Sequence, residues 1–213
     1  MLKREGWRDN HKRIYRLYRE QGLSLRLKRP RRNKSALKRQ PQPQVLYPNH
    51  VWGMDFVSDA LFDGRRLRLL TVIDLYTREC LGICVGQNLR SSEVAEMLNI
   101  IALRRPLPQL LKTDNGSEFA GKMLDKWVYE RDIRIDFSRP GTPTDNATVE
   151  SFNGRLRQEC LNENWFMSME DARCKIEAWR IHYNQSRPHS ALGWMTPFEF
   201  AEKSAGCQNK QPT

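Results

Sequence analysis

The sequence predicts an α/β fold, a five-stranded mixed sheet with flanking helices, preceded by a short basic helical segment. Two observations carry this expectation. From Val51 onward, runs rich in β-branched and aromatic residues give way to stretches of helical periodicity, in an order that requires crossovers. The surplus positive charge is gathered ahead of them: residues 1–45 hold 15 Lys and Arg against 3 Asp and Glu, whereas the other 168 residues hold 21 against 22. A solvated surface mixes its signs, so a segregated block points to a polyanion, most often nucleic acid.

In the first segment, "NHKRIYRLYREQGLSLRLKRPRRNK", Ile14, Leu17, Tyr18 and Leu25 can form an apolar stripe at helical spacing. Asn10 supplies a cap and Gly22 a stop. Residues 1–28 read as the end of a small helical DNA-binding unit, with Lys12, Arg13 and Arg16 as candidate phosphate contacts. Residues 29–47 carry Pro30, Pro41 and Pro43 and few apolar side chains, which suits an extended basic linker able to lay Arg29, Arg31 and Arg32 along phosphates.

The main domain is expected over residues 48–200, with a flexible tail at 201–213. "VWGMDFVSDALF", "RRLRLLTVIDLY" and "RECLGICVGQ" read as an antiparallel meander, the "DGR" turn joining the first two. "SSEVAEMLNIIALRR" is a Ser-capped helix carrying Val94, Met97, Leu98 and Ile101. "QLLKT" is a fourth strand, "KMLDKWVYERD" a helix and "IRIDFS" a fifth strand. After the loop "RPGTPTDNA" come "TVESFNGRLRQECL", a helix capped near Asp145, and "SMEDARCKIEAWRIHYNQ", a second one. Trp165, Trp179 and Trp194 read as packing for the C-terminal helices, and His189 as a hydrogen-bonding structural residue.

Several function classes fall away on composition. No apolar run approaches the roughly 20 residues of a membrane-spanning helix. The N-terminus lacks the apolar core of a secretory signal, so a cytoplasmic location without membrane partners is expected. Five cysteines without a CxxC pair read as reduced thiols, and the four histidines lack zinc-ligand spacing.

The acids carry the chemistry. Asp55 sits inside the first strand, where an unpartnered charge is costly. Asp114 ends the fourth strand and is followed by Asn115 and Gly116, good turn chemistry that lets an acid at a strand end point outward. If strands one and four are neighbours, these two carboxylates face one another. On the later helix Val149, Phe152, Leu156 and Cys160 form the apolar stripe, leaving Glu150, Asn153, Gly154 and Arg157 on a polar face. Three converging carboxylates supply hard oxygen ligands for Mg²⁺, with Mn²⁺ as substitute. Two such ions about 4 Å apart serve phosphoryl transfer without a side-chain nucleophile. Asp74 and Glu118 are expected to serve structure, as a turn acceptor and a helix-start charge. Asn115, Asn153, Arg155 and Arg157 are the candidate DNA contacts of this domain, and Asn115, Asn153 and Arg157 can equally orient the ligand acids.

These residues carry a resemblance. "VWGMDFV", "LLTVIDLYTREC", "KTDNGSEF", "SRPGTPTDNATVESFNGRLRQECL" and "HYNQSRPHSALGWMTPFEF" resemble the OrfB-type insertion-sequence transposases of the retroviral-integrase superfamily. The resemblance implies a ribonuclease-H-like fold and a catalytic, metal-holding triad of Asp55, Asp114 and Glu150, with Arg157 matching a basic position seven residues beyond the Glu. It also implies cleavage of element ends followed by strand transfer into target DNA, Mg²⁺ as cofactor, and a homo-oligomer on DNA. In such relatives the "EGWRDNHKRIYRLYRE" motif closes a longer helix-turn-helix domain. Here it starts almost at Met1, so a truncated N-terminus is expected, with an upstream helix-turn-helix partner protein supplying end recognition. Two other readings remain open: a ribonuclease-H-type nuclease using Glu93 or Glu96 as a fourth carboxylate, and a non-catalytic DNA-binding remnant.

Overall fold

The computed structural model describes residues 5–6, 9–23, 44–114, 116, 119, 121–138 and 146–208, with no side-chain description beyond residue 205. The expectations for Asn115, Glu118, Arg29, Arg31 and Arg32 lie outside the described residues. The chain divides into two units, Met1–Pro41 and Gln42–Thr213.

In the first unit, helix α1 (His11–Glu20) begins where the Asn10 side chain accepts the Lys12 N–H at 3.0 Å. It stops before Gly22, at φ 67°, a left-handed position that glycine adopts without strain. No residue of α1 is buried, so its apolar stripe finds no core among the described residues of its own unit.

The second unit is built on a five-stranded sheet. Strands β1 (Val51–Ala60), β2 (Arg66–Asp74) and β3 (Cys80–Gly86) form the meander, and β4 (Leu110–Thr113) and β5 (Arg134–Phe137) join beyond β1 in the order β3-β2-β1-β4-β5. The first three strands are antiparallel, whereas β4 runs parallel to both β1 and β5. The β1–β2 turn closes through Gly64, at φ 83°, with the Asp63 carboxylate accepting the Arg65 N–H at 3.0 Å. Parallel neighbours need crossovers, and these are made by α2 (Ser91–Ala102), between β3 and β4, and α3 (Lys122–Tyr129), between β4 and β5.

Because side chains alternate along a strand, β1 feeds both faces of the sheet. Trp52 and Met54 join Leu70 and Val72 beneath α2 and α3, whose Val94, Leu98, Leu124 and Trp127 complete that layer. Val51 and Val57 join Leu67, Leu69 and Ile73 on the other face. There α4 (Ala147–Leu156) and α5 (Met169–Ser186) contribute Val149, Phe152, Leu156, Ile176 and Tyr183. Burying each such side chain contributes about 1.5–3 kcal/mol. The parity of β1 therefore puts Asp55, two residues before Val57, on the face that α4 covers.

Several expectations need correcting. Helix α4 begins after Asn146, next to the expected cap Asp145, which lies outside the described residues, and it ends at Leu156, short of the expected Leu161. The chain continues as one π-helical turn, Arg157–Leu161, which still buries Cys160. Of the three tryptophans only Trp179 packs as expected, against Phe152 and Tyr183. Trp165 is 73% exposed and Trp194 63%. Gly193 and Trp194 both adopt positive φ, so the sharp turn there leaves the indole outside. Helix α6 (Pro197–Gln208) runs into the expected tail. Cys80 and Cys160 are buried, while Cys174 is exposed. No described helix is long and apolar enough to cross a membrane.

Candidate active site

Strand β1 brings Asp55 to the face of α4 at its fifth residue, and strand β2 places Thr71 directly opposite. The Thr71 hydroxyl donates to Asn153 Oδ1 at 2.9 Å, with the Asp55 carbonyl oxygen 3.1 Å away as a second acceptor. That bond orients the Asn153 amide, whose Nδ2 donates to Asp55 Oδ2 at 2.9 Å. The Phe56 N–H donates to the other oxygen, Oδ1, at 2.7 Å. Both carboxylate oxygens are thus held, one by its own strand and one through α4.

Asp114 follows β4 directly. The parallel ladder pairs Val51 with Leu110 and Gly53 with Lys112, and continuing it by two residues sets Asp114 beside Asp55. Its Oδ1 accepts the Gly116 N–H at 3.0 Å, so the acid closes its own turn while its side chain stays exposed. Glu150 stands exposed in the first turn of α4.

The electrostatics tie the three acids together. Burial pushes the Asp55 carboxyl up to about 6, the charges of Asp114 and Glu150 add to that rise, and the Phe56 N–H and Asn153 amide oppose it. No ion pair to any of the three occurs among the described residues. Nor, among those residues, is any trio of His, Cys, Asp or Glu arranged to hold a metal ion. The donor chemistry nevertheless fits a divalent cation: three hard carboxylates, of which Asp55 is raised chiefly by burial and further by the charges of the other two.

A groove of about 340 Å³ opens here, lined by Asp55, Phe56, Ser58, Glu150, Asn153, Gly154 and Arg157. Arg157 donates to the Ser58 carbonyl oxygen at 2.7 Å, which fixes its guanidinium on the groove wall. A Cβ at Gly154 would meet nothing within 4 Å among the described residues, so the space there stays open. Arg155 does not join the groove; one residue out of phase, it lines a different cavity on the other flank of α4.

Asp74 and Glu93 hold other posts. Asp74 is fully buried and accepts the N–H groups of Asn49, at 2.7 Å, and Tyr76, at 2.8 Å, the turn role expected of it. Glu93 accepts the Arg90 backbone N–H at 3.1 Å and the Ser92 hydroxyl at 2.6 Å at the start of α2. That carboxylate is engaged by its own helix. Sequence reasoning missed Thr71. The hairpin register from the "DGR" turn, which pairs Asp55 with Thr71, was the available signal for it.

The integrase core domain family matches residues 46–143, and a second family of the same description matches residues 131–197. The putative transposase InsK of the insertion sequence IS150 from Escherichia coli is 29% identical over 215 residues, which cover 95% of this chain and 75% of that protein. An IS407 insertion-element protein of Burkholderia multivorans is 46% identical over 203 residues, covering 95% of this chain and 73% of that one. The chain belongs to the insertion-sequence transposases of the integrase superfamily.

The fold of this transposase agrees. The catalytic core domain of the HTLV-2 integrase, solved in complex with magnesium, matches it with a TM-score of 0.59 at 19% identity, covering 74% of the transposase and 99% of that chain. At that identity the likeness is one of fold, the ribonuclease-H-like mixed sheet. The comparisons give no support to the expected separate helix-turn-helix partner of the transposase.

Proposed function

We propose that this transposase cuts and joins DNA at a site formed by Asp55, Asp114 and Glu150. The observation that carries the reading is the state of Asp55, a carboxyl raised to about 6 by burial and by the charges of the other two acids. Such a cluster is destabilising until a cation enters it, which is the behaviour of a functional site rather than a structural one. Mg²⁺, or Mn²⁺ in its place, would be held by the three carboxylates and would stabilise charge on the attacking and departing oxygens. The magnesium complex of the HTLV-2 integrase core supports that choice.

The chain's own groups prepare the ground. Thr71 and Asn153 hold the Asp55 carboxylate in one orientation, so its oxygen positions are set before any ligand arrives. Arg157, anchored on Ser58, offers its remaining N–H groups to a phosphate in the groove, and the open space at Gly154 lets the DNA backbone come close. In strand joining a 3′ hydroxyl oxygen bonds to a target phosphorus, the bond from that phosphorus to its own 3′ oxygen breaks, and a new 3′ hydroxyl takes up the proton. The basic residues Lys12, Arg13 and Arg16 add sequence-independent affinity, and a homo-oligomer on DNA brings the two element ends together.

Strand joining by the full chain, with labelled DNA bearing the element's ends and Mg²⁺ or Mn²⁺, tests this. Joined product is expected from wild type and from neither Asp55→Asn nor Asp114→Asn. Product that survives Asp114→Asn refutes the assignment. Absence of product from a wild-type chain that still binds DNA favours the non-catalytic reading.

A further inference from the structure

The buried stripe of α4 has a second flank, and there the chain forms another cavity, of about 440 Å³. Its wall carries Arg78 from the β2–β3 turn, Thr148 and Arg155 from α4, Arg187 from the end of α5, and His189 and Trp194 from the turns that follow. Among the described residues no Asp or Glu lines it. Three guanidiniums around a space that no described carboxylate lines is an arrangement that folding alone does not favour.

Of the three, Arg187 pairs with Glu159 outside the lining. Arg78 donates to the Thr148 hydroxyl at 2.5 Å and makes no ion pair among the described residues. It also sits at φ 64°, a left-handed backbone that residues other than glycine rarely adopt. Arg155 is exposed and likewise has no ion pair among the described residues. The convergence registers at His189. Its imidazole packs edge-on against Tyr183, 5.0 Å between centroids, and its Nε2 is shut off from solvent with no hydrogen-bond partner among the described residues. Burial, then Arg187, Arg78 and Arg155, hold its pKa down at about 4 against the pull of Glu159. It is therefore a neutral group in a positive cavity. Sequence reasoning gave this histidine a structural hydrogen bond, and its side chain makes none among the described residues.

These features match one ligand chemistry. Guanidiniums bind phosphate oxygens in pairs of parallel hydrogen bonds. Trp194, 63% exposed beside the cavity, offers the face on which an unstacked base rests. We propose that this cavity seats a backbone phosphate of a DNA strand, with a neighbouring base against Trp194, as a second DNA subsite on the far flank of the helix that carries Glu150. The proposal rests on the reading of the protein as a DNA transposase.

The full chain and a labelled oligonucleotide, titrated from about 50 to 200 mM salt, test it. Arg155→Ala is expected to weaken binding about 3- to 10-fold and to lower the slope of log K against log salt by about 1, while Arg155→Lys keeps the slope. Trp194→Phe is expected to remove most of the DNA-dependent quenching of tryptophan fluorescence. Neither change is expected to move the melting temperature, since both side chains are exposed. Unchanged affinity and slope in Arg155→Ala, or undiminished quenching in Trp194→Phe, overturns the proposal. Asp55→Asn serves as the parallel control: it retains binding and slope while losing joining, so failure of the cavity and failure of the catalytic site are read separately.

Discussion

Asp55 joins cost to use in a single side chain. Its carboxyl titrates at about 6 in the folded chain instead of 3.8. Between those values the folded state keeps a proton that the unfolded chain has released, so stability falls as pH rises through that window and the penalty stands in full above it. Asp55→Asn removes the charge. At pH 8 it is expected to gain on the order of 1 kcal/mol over wild type, once the hydrogen bond that disappears with the carboxylate is set against the relieved repulsion, and at pH 4 to gain nothing. Thermal melts of both proteins at the two pH values check this, and an equal difference at both would show that Asp55 ionises normally. Mg²⁺ at about 100 times its dissociation constant should stabilise wild type by about 2.7 kcal/mol and the variant far less. The acid and its strand were legible in the sequence. The Thr71 hydroxyl that orients its amide partner was not, because Asn153 and Thr71 are 82 residues apart and meet only when α4 lies on β2.

At the scale of elements, everything depends on how closely α4 rides on β1. A Cβ built at Gly53 would lie 2.5 Å from Val149 Cγ2 and 2.8 Å from Leu75 Cδ2, so the helix descends onto the strand where a side chain is missing. Gly53→Ala is expected to push α4 outward, costing about 1–3 kcal/mol and carrying Glu150 and Asn153 away from Asp55. Chemical denaturation reads the first effect and strand joining the second. A variant with full stability and full joining would mean that the neighbours yield freely. The amphipathic stripe of α4 was legible from Val149, Phe152 and Leu156, whereas its passage into a π-helical turn at Arg157 was not. A one-residue change in winding leaves the apolar spacing nearly intact, and Cys160 is buried either way.

For the whole molecule, charge and chemistry are divided between two units. The basic block falls in Met1–Pro41, and Val45 already packs against the core of the second unit. Removal of residues 1–41 is therefore expected to leave the melting temperature of the remainder close to that of the full chain. The salt slope of DNA binding should fall by several units, because each phosphate that the protein no longer neutralises lowers it by about 0.9. Anisotropy titrations at several salt concentrations decide it, and an unchanged slope would assign DNA affinity to the core alone.

By itself the sequence determined the order of strands and helices, the two-unit charge pattern, and the three acids, since each is written in local periodicity, turn residues or composition. Even the neighbouring of β1 and β4 followed from the order of elements, since few sheets accommodate a meander followed by two crossovers. What only the tertiary structure decided is which polar groups share a space. Asn153 and Arg155 are two residues apart in one motif, yet about 200° of helical rotation sends the first to the Asp55 groove and the second to a cavity walled by Arg78, Arg187 and Trp194. Those partners come from two turns and a helix end, with no pattern linking them. Their meeting follows from packing across the sheet, which periodicity along one chain segment does not encode.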